Sequence, residues 1–175
     1  MRRSLLIAVL PTVLAGCALF SGPSPGPGDK APSFIATLDT GEKVESQKLM
    51  GAQGMVLYFY PKDETPGCTT QACTFQEQLA NFQEKGYSIV GVSVDTGESH
   101  KAFKSKHNLT FSLVSDTDKA IAKLYNVPMA TDPAGTVGLK RTTFVISEDG
   151  IVRRRFEDPD AKRQVEEARN ALLPY

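Results

Sequence analysis

Several things this chain lacks narrow it before any motif is read. Its 20 lysines and arginines balance 20 aspartates and glutamates, so there is no net positive field to gather nucleic acid. It has two histidines, His100 and His107, both in the polar segment ESHKAFKSKHN. They are too few and too far from the cysteines to suggest a metal site. No internal repeat is visible, which excludes solenoid architectures. The apolar stretch Leu5 to Ala15 is too short to cross a bilayer comfortably. What remains is 175 residues with 41% hydrophobic and 23% charged side chains, an ordinary composition for one soluble globular domain and too little chain to argue for two.

The N-terminus reads separately. Arg2 and Arg3 precede the apolar stretch, and small residues follow it, which is the layout of a secretory signal. Its end, Leu14-Ala15-Gly16-Cys17, resembles the lipobox of bacterial lipoproteins. That resemblance implies cleavage before Cys17, a diacylglycerol on its sulfur, an acylated amine and a mature chain of 159 residues (175 minus 16). Several acyl chains make a stable anchor where one would not. It places the protein in the cell envelope, lipid-anchored and facing the periplasm or exterior. An ordinary cleaved signal is the alternative. Ser21 to Gly28, SGPSPGPG, has no apolar residue to bury and reads as a semi-extended tether. The expected partition is therefore a signal over 1–16, lipidated cysteine and tether over 17–30, and a folded domain over 31–175.

Within that domain strand-like and helix-like segments alternate. Phe34 to Leu38 and the region around Val44 flank the turn signal Asp39-Thr40-Gly41. Met55 to Tyr60 and Ser88 to Val94 are continuous apolar runs of the kind found in buried strands. Pro66 to about Lys85 predicts a helix, with Phe75, Leu79 and Phe82 at helical spacing and Gly86 as its stop. Helices are further expected near Glu98–His107, Asp118–Tyr125 and Ala161–Leu173, a short strand at Phe111–Val114, and a hairpin of Thr142–Ile146 with Ile151–Phe156 around Glu148-Asp149-Gly150. The alternation argues for an α/β domain, a mixed central sheet with helices on both faces. Pattern alone does not choose among the small folds of that class. The segment Pro128 to Leu139 has little periodicity and reads as a connection or a mobile wall leading into Arg141.

The most informative residues are Tyr60 to Cys73, YPKDETPGCTTQAC. Thr65 is a good N-cap and Pro66 is well suited to the first helical position. Gly67 leaves room for close approach, and Cys68 falls in the first turn, where free N–H groups and the helix dipole favour an anion. A cysteine so placed is expected to ionise more readily than a free one, and the thiolate is the nucleophile. Cys73 follows five residues later. In an unbroken helix that spacing puts the two Cα atoms about 8.6 Å apart, beyond the roughly 7 Å a disulfide tolerates. A static bridge would sacrifice the helix; a transient one requires its first turns to unwind. Gly67, Thr69 and Thr70 make that stretch a weak helix.

Pro61, Thr65 and Cys68, with three and two residues between them, closely resemble the active-site pattern of the peroxiredoxins, in the bacterioferritin comigratory protein or peroxiredoxin Q branch. MVLYFYPKDETPGCT, SIVGVSVDTGESHKAF, FSLVSD and RTTFVISEDGIV match that family in order, so the likeness runs from about Asp29 to the C-terminus. It implies a thioredoxin-like fold and a thiol peroxidase that reduces hydrogen peroxide and organic hydroperoxides. Cys68 would be the peroxidatic residue and Cys73 the resolving one. Thr65 would hold sulfur and peroxide, Pro61 would shield the thiol, and Arg141 would supply the cation. Otherwise Arg141 is a surface salt-bridge residue and Thr65 a plain helix cap. The resemblance further implies a thioredoxin-like reductant, no cofactor, no metal, and a monomer. Lipid on Cys17 would leave Cys68 and Cys73 as a pair.

One position departs from the branch, which usually carries glutamate where this chain has Gln71. The neutral amide is expected to leave a more positive field and a looser Arg141. The competing readings are an exported copper-binding lipoprotein of the same fold and a periplasmic thiol–disulfide exchange protein. The first lacks a histidine beyond His107, and the second normally uses Cys-x-x-Cys.

Overall fold

The computed structural model describes residues 23–132 and 134–172; the signal, Cys17 and the tether residues before 23 lie outside them. The elements in chain order are β1 (Ile35–Thr37), β2 (Lys43–Glu45), a 3₁₀ turn (Ser46–Leu49), β3 (Gly54–Phe59), α1 (Pro66–Glu77), α2 (Leu79–Glu84), β4 (Tyr87–Ser93), α3 (Gly97–His107), β5 (Ser112–Ser115), α4 (Ala120–Leu124), β6 (Met129–Thr131), β7 (Val137–Leu139), β8 (Thr142–Ser147), β9 (Val152–Phe156) and α5 (Ala161–Asn170).

Five strands form the central sheet in the order β5-β4-β3-β8-β9. The β3–β4 and β4–β5 pairs are parallel, and β3–β8 and β8–β9 are antiparallel. The sheet is mixed, as expected. All six residues of β3 are buried, because both faces of this central strand are covered. Met55, Leu57 and Phe59 point into one core with Phe34, Ile121, Tyr125 and Leu139. Val56, Tyr58 and the following Tyr60 point into the other with Cys68, Phe75, Phe82, Phe103 and Val165. The first face carries α4 and the small hairpins, and the second carries α1, α2, α3 and α5. This is a thioredoxin-like α/β fold.

Three expectations need correction. The helix expected over Pro66–Lys85 is two helices, interrupted at Gln78 (φ −95°, ψ 0°); Gly86, at φ 75°, does end it. The segment Pro128–Leu139 is no bare connection but the hairpin β6–β7. Its strands are too short for periodicity to show. They are located instead by Gly138, where a Cβ would lie 2.1 Å from the carbonyl oxygen of Pro61. Finally, the tether ends earlier than residue 30. Pro25 is buried, Ser24 Oγ donates to the carbonyl of Tyr125 at 2.6 Å, Gly28 N–H donates to Val152 O, and Val152 N–H donates to Asp29 O. Residues 24–30 are a strap laid on the domain. Composition predicted a tether because it has no apolar side chains, but backbone groups and proline rings suffice for docking.

Candidate active site

Strand β3 ends at Phe59, and a six-residue loop leads from it to the N-terminus of α1. This loop is pinned from inside. Asp63 is buried, and its carboxylate accepts from Tyr60 Oη (2.7 Å), Ser99 Oγ (2.7 Å) and His100 Nδ1 (2.8 Å). Its N–H donates to Asp95 Oδ2 at 2.9 Å. Burial alone would raise the Asp63 pKa, but these hydrogen bonds and the charge on His100 outweigh it and hold the carboxyl below its usual range. Glu64, in the left-handed region at φ 61°, reaches out to Lys106 at 2.5 Å and His107 at 3.4 Å. Helix α3 therefore fixes the loop that carries Pro61 and Thr65. His100, unremarkable in a polar stretch of sequence, is fully buried for this purpose.

Thr65 occupies the N-cap position with extended backbone (φ −80°, ψ 148°), and Pro66 opens the helix as expected. The threonine side chain does not cap, however. Its hydroxyl donates to Lys62 O at 3.1 Å, so the expected cap bond is absent. Cys68, in the first turn, is 1% exposed. Arg141 Nη2 lies 3.4 Å from its Sγ. The guanidinium is itself buried, so it is no surface salt bridge. Gly67 eases this approach: a Cβ there would sit 3.1 Å from Nη2 and crowd it.

Arg141 is not loose. Its Nη1 donates to Gln71 Oε1 at 2.5 Å, which corrects the expectation from the missing carboxylate: an amide oxygen accepts as the carboxylate would. Gln71 also uses its other end, donating through Nε2 to Gln164 Oε1 at 3.3 Å. Gln164, on α5, was not legible in the sequence. It is an amide on a polar helix, and its partners are distant in the chain.

Cys73 is half-buried on the same uninterrupted helix, and both cysteines are free thiols. Burial, and then Glu77, push the Cys73 thiol above its usual pKa. Between the cysteines, Thr70 Oγ1 donates back to Pro66 O and Thr74 Oγ1 to Thr70 O, each at 2.8 Å. Such bonds compete with the helix ladder.

A cleft of about 380 Å³ opens beside this constellation. Its walls include Pro61, Gly67, Arg141, Ala130, Leu139 and Pro159. The structure thus brings Pro61, Cys68 and Arg141 to one place, leaves Thr65 half-buried at the helix start, and keeps Cys73 away on intact helix. Among the described residues no group of three or more His, Cys, Asp and Glu side chains is placed to hold a metal ion.

Residues 27–155 match the model of the AhpC/TSA family. The chain is 40% identical to peroxiredoxin Bcp of Bacillus subtilis (strain 168) over 147 residues, which are 83% of this chain and 93% of that one. Among solved structures it is similar to peroxidoxin BcpB of Mycobacterium tuberculosis, with TM-score 0.77 and 29% identity over 85% of this chain and 96% of that one. Peroxiredoxin Q of Xanthomonas campestris superposes with TM-score 0.70 and 32% identity, covering 79% of this chain and 89% of the other.

Proposed function

This chain belongs to the AhpC/TSA family, in its Bcp and peroxiredoxin Q branch, and is a thiol peroxidase; on that premise we propose that Cys68 is the residue that attacks the peroxide. The observation that carries this assignment is the buried Arg141 guanidinium 3.4 Å from Cys68 Sγ, beside a cleft lined by Gly67 and Arg141. The Cys68 thiolate attacks the distal oxygen of a hydroperoxide, the O–O bond breaks, and the alkoxide or hydroxide leaves and is protonated. Cys68 becomes a sulfenic acid. Arg141, always charged and with several donors in a fixed fork, holds sulfur and leaving oxygen together. We assign to Pro61, which lines the cleft, the shielding of the sulfur, and to the Thr65 hydroxyl a turn from Lys62 O to the peroxide.

Cys73 resolves the sulfenic acid. Its sulfur bonds to that of Cys68, and the sulfenic hydroxyl leaves as water with the thiol proton. Because α1 is continuous from Pro66 to Glu77, its first turns unwind for each bridge formed. A thioredoxin-like donor then reduces the disulfide. The cycle needs one chain, so we read the protein as working as a monomer. The copper-binding and disulfide-exchange alternatives are not favoured by the family membership.

The test uses the reduced full-length chain in detergent with one equivalent of hydrogen peroxide, followed by stopped flow and intact mass. The proposal expects fast consumption of one thiolate, lost in Cys68→Ser. It also expects a loss of two hydrogens that requires Cys73. Oxidation no faster than that of a free thiol would sink it.

We further propose that Cys17 carries lipid and anchors the protein in the cell envelope, on the strength of the Leu14-Ala15-Gly16-Cys17 pattern behind Arg2 and Arg3. With the strap docked from Ser24, seven Cα–Cα steps separate Cys17 from it, which bounds their separation at roughly 25 Å. Membrane-fraction protein is expected to carry a diacylglycerol mass that Cys17→Ala abolishes; equal masses would refute the anchor.

A further inference from the structure

Opening α1 breaks a particular set of contacts. Gln164 Oε1 accepts from Gln71 Nε2 at 3.3 Å and from Thr143 Oγ1 at 2.6 Å. Gln164 Nε2 donates to the carbonyl of Arg141 at 3.2 Å and to that of Asp158 at 2.6 Å. One amide thus spends all four of its bonding capacities, tying together α1, β8, the residue that carries the guanidinium and the loop before α5. Gln71, Thr143 and Gln164 are each fully buried. On the far side Gln71 Oε1 accepts a hydrogen bond from Arg141 Nη1 at 2.5 Å. Buried networks with every member satisfied rigidify their surroundings, and breaking one leaves unpaired groups in a dry site.

The direction of each bond matters. Gln71 accepts from Arg141 and donates to Gln164, and a carboxylate can do only the first. The amide at position 71 therefore has a counterpart on α5, and the pair forms a bridge between the C-terminal helix and the midpoint of the Cys68–Cys73 segment.

We propose that Gln164 is a positioning residue and latch: through Gln71 it holds α1 closed with Arg141 set on Cys68, and its release governs how readily the helix opens for Cys73. The inference rests on the roles proposed above for the two cysteines. Two reactions compete for the sulfenic acid. Attack by Cys73 gives disulfide and water; attack on a second hydroperoxide gives the sulfinic acid and an alcohol or water. The latch sets the ratio, because the second reaction proceeds on closed helix and the first does not.

The experiment compares wild type, Gln164→Leu and Gln164→Glu in the full-length chain, measuring the peroxide rate constant, the disulfide rate and the sulfinic fraction under excess peroxide. Gln164→Leu is expected to speed disulfide formation by about fivefold, the factor of one net hydrogen bond. It should lower the sulfinic fraction and slow the peroxide step by a similar factor. Gln164→Glu keeps the oxygen that accepts from Gln71 but sets a carboxylate oxygen against the carbonyls of Arg141 and Asp158, which lose their donor, so its disulfide rate should fall between those of wild type and Gln164→Leu. Val114→Ala, in the other core, controls for general destabilisation and should move neither the disulfide rate nor the sulfinic fraction. If the leucine chain does not fold, Gln71→Met cuts the same bond from α1 and the same measurements decide. Unchanged disulfide rate and sulfinic fraction beside an intact wild-type cycle would overturn the latch. A wild type that never forms the Cys68–Cys73 bridge would overturn the cysteine roles instead.

Discussion

Helices α1 and α5 pack against one another and are built on opposite terms. Helix α5 begins at Asp160, whose carboxylate accepts from the N–H groups of Lys162 and Arg163 at 2.9 and 3.1 Å. It is rich in strong helix formers and carries an Arg163–Glu167 pair one turn apart at 3.5 Å. Helix α1 has no side-chain cap. Its first turns contain glycine, three threonines within residues 69–74 and both cysteines, all weak formers, and two threonine hydroxyls pull on its carbonyls. The Cys68 sulfur, proposed above to attack the peroxide, sits on the helix with the weaker local terms, against a neighbour whose own terms are strong. Tertiary contacts, more than helix propensity, keep α1 closed.

The comparison breaks most severely at Arg141, the contact that engages the N-terminal turn of α1. Arg141→Ala is expected to slow the peroxide step by about 100- to 1,000-fold, the usual result of removing one preorganised donor. Stopped-flow rate constants at several peroxide concentrations check this. Arg141→Lys should recover only part, since an ammonium cannot reach sulfur and Gln71 together.

Next comes the loop that feeds α1. Asp63→Ala leaves Tyr60, Ser99 and His100 without their shared acceptor and should cost about 3 kcal/mol of stability, read from urea midpoints. Asp63→Asn adds a pH signature. The folded-state pKa of Asp63 is lowered, so its contribution is complete above the unfolded value of about 4 and is lost as pH falls through the folded one. The stability gap between wild type and Asp63→Asn should therefore close in acid. A gap that is flat with pH would mean the network is held by neutral bonds alone.

How much of this was legible in the sequence depended on range. Strands β3 and β4 announced themselves as apolar runs, β8 and β9 as the arms of a hairpin, and Thr65-Pro66 marked the start of α1 to the residue. Cys68 was readable as a candidate because its placement is local, in the first turn of a helix that opens on Thr65-Pro66. Arg141 needed the family resemblance, since no local rule brings it to a sulfur 73 positions away. Gln164, the Asp63–His100 pair and the β6–β7 hairpin were not readable at all. Each is defined by partners far along the chain, and a glutamine or histidine in a polar stretch looks like surface. The break at Gln78 escaped because apolar spacing continues across it.

Weaker changes sharpen the contrast from each side. Asp160→Ala removes the α5 cap and should cost about 1 kcal/mol. If α5 is the firm partner, amide exchange in α1 should accelerate with it, whereas an effect confined to α5 would count against the coupling. The smallest effect concerns Cys73. Burial, with Glu77 behind it, raises this thiol, so in Cys68→Ser its alkylation should climb at higher pH than the roughly 8.5 of a free cysteine. Glu77→Gln should bring the midpoint down only slightly, because burial is the larger cause.

Gly138 has a consequence for how such a molecule can be redesigned. Its missing side chain is what lets the hairpin backbone rest on Pro61, so the register between the β6–β7 hairpin and the loop before α1 is keyed by one position. Beyond that key the hairpin tip, around Asp132 to Thr136, makes its turn from its own backbone and the Asp132 carboxylate. The tip is thus an exchangeable module: loops of other length and polarity can be grafted there to retune the cleft, provided glycine stays at 138 and the chemistry behind it is left alone.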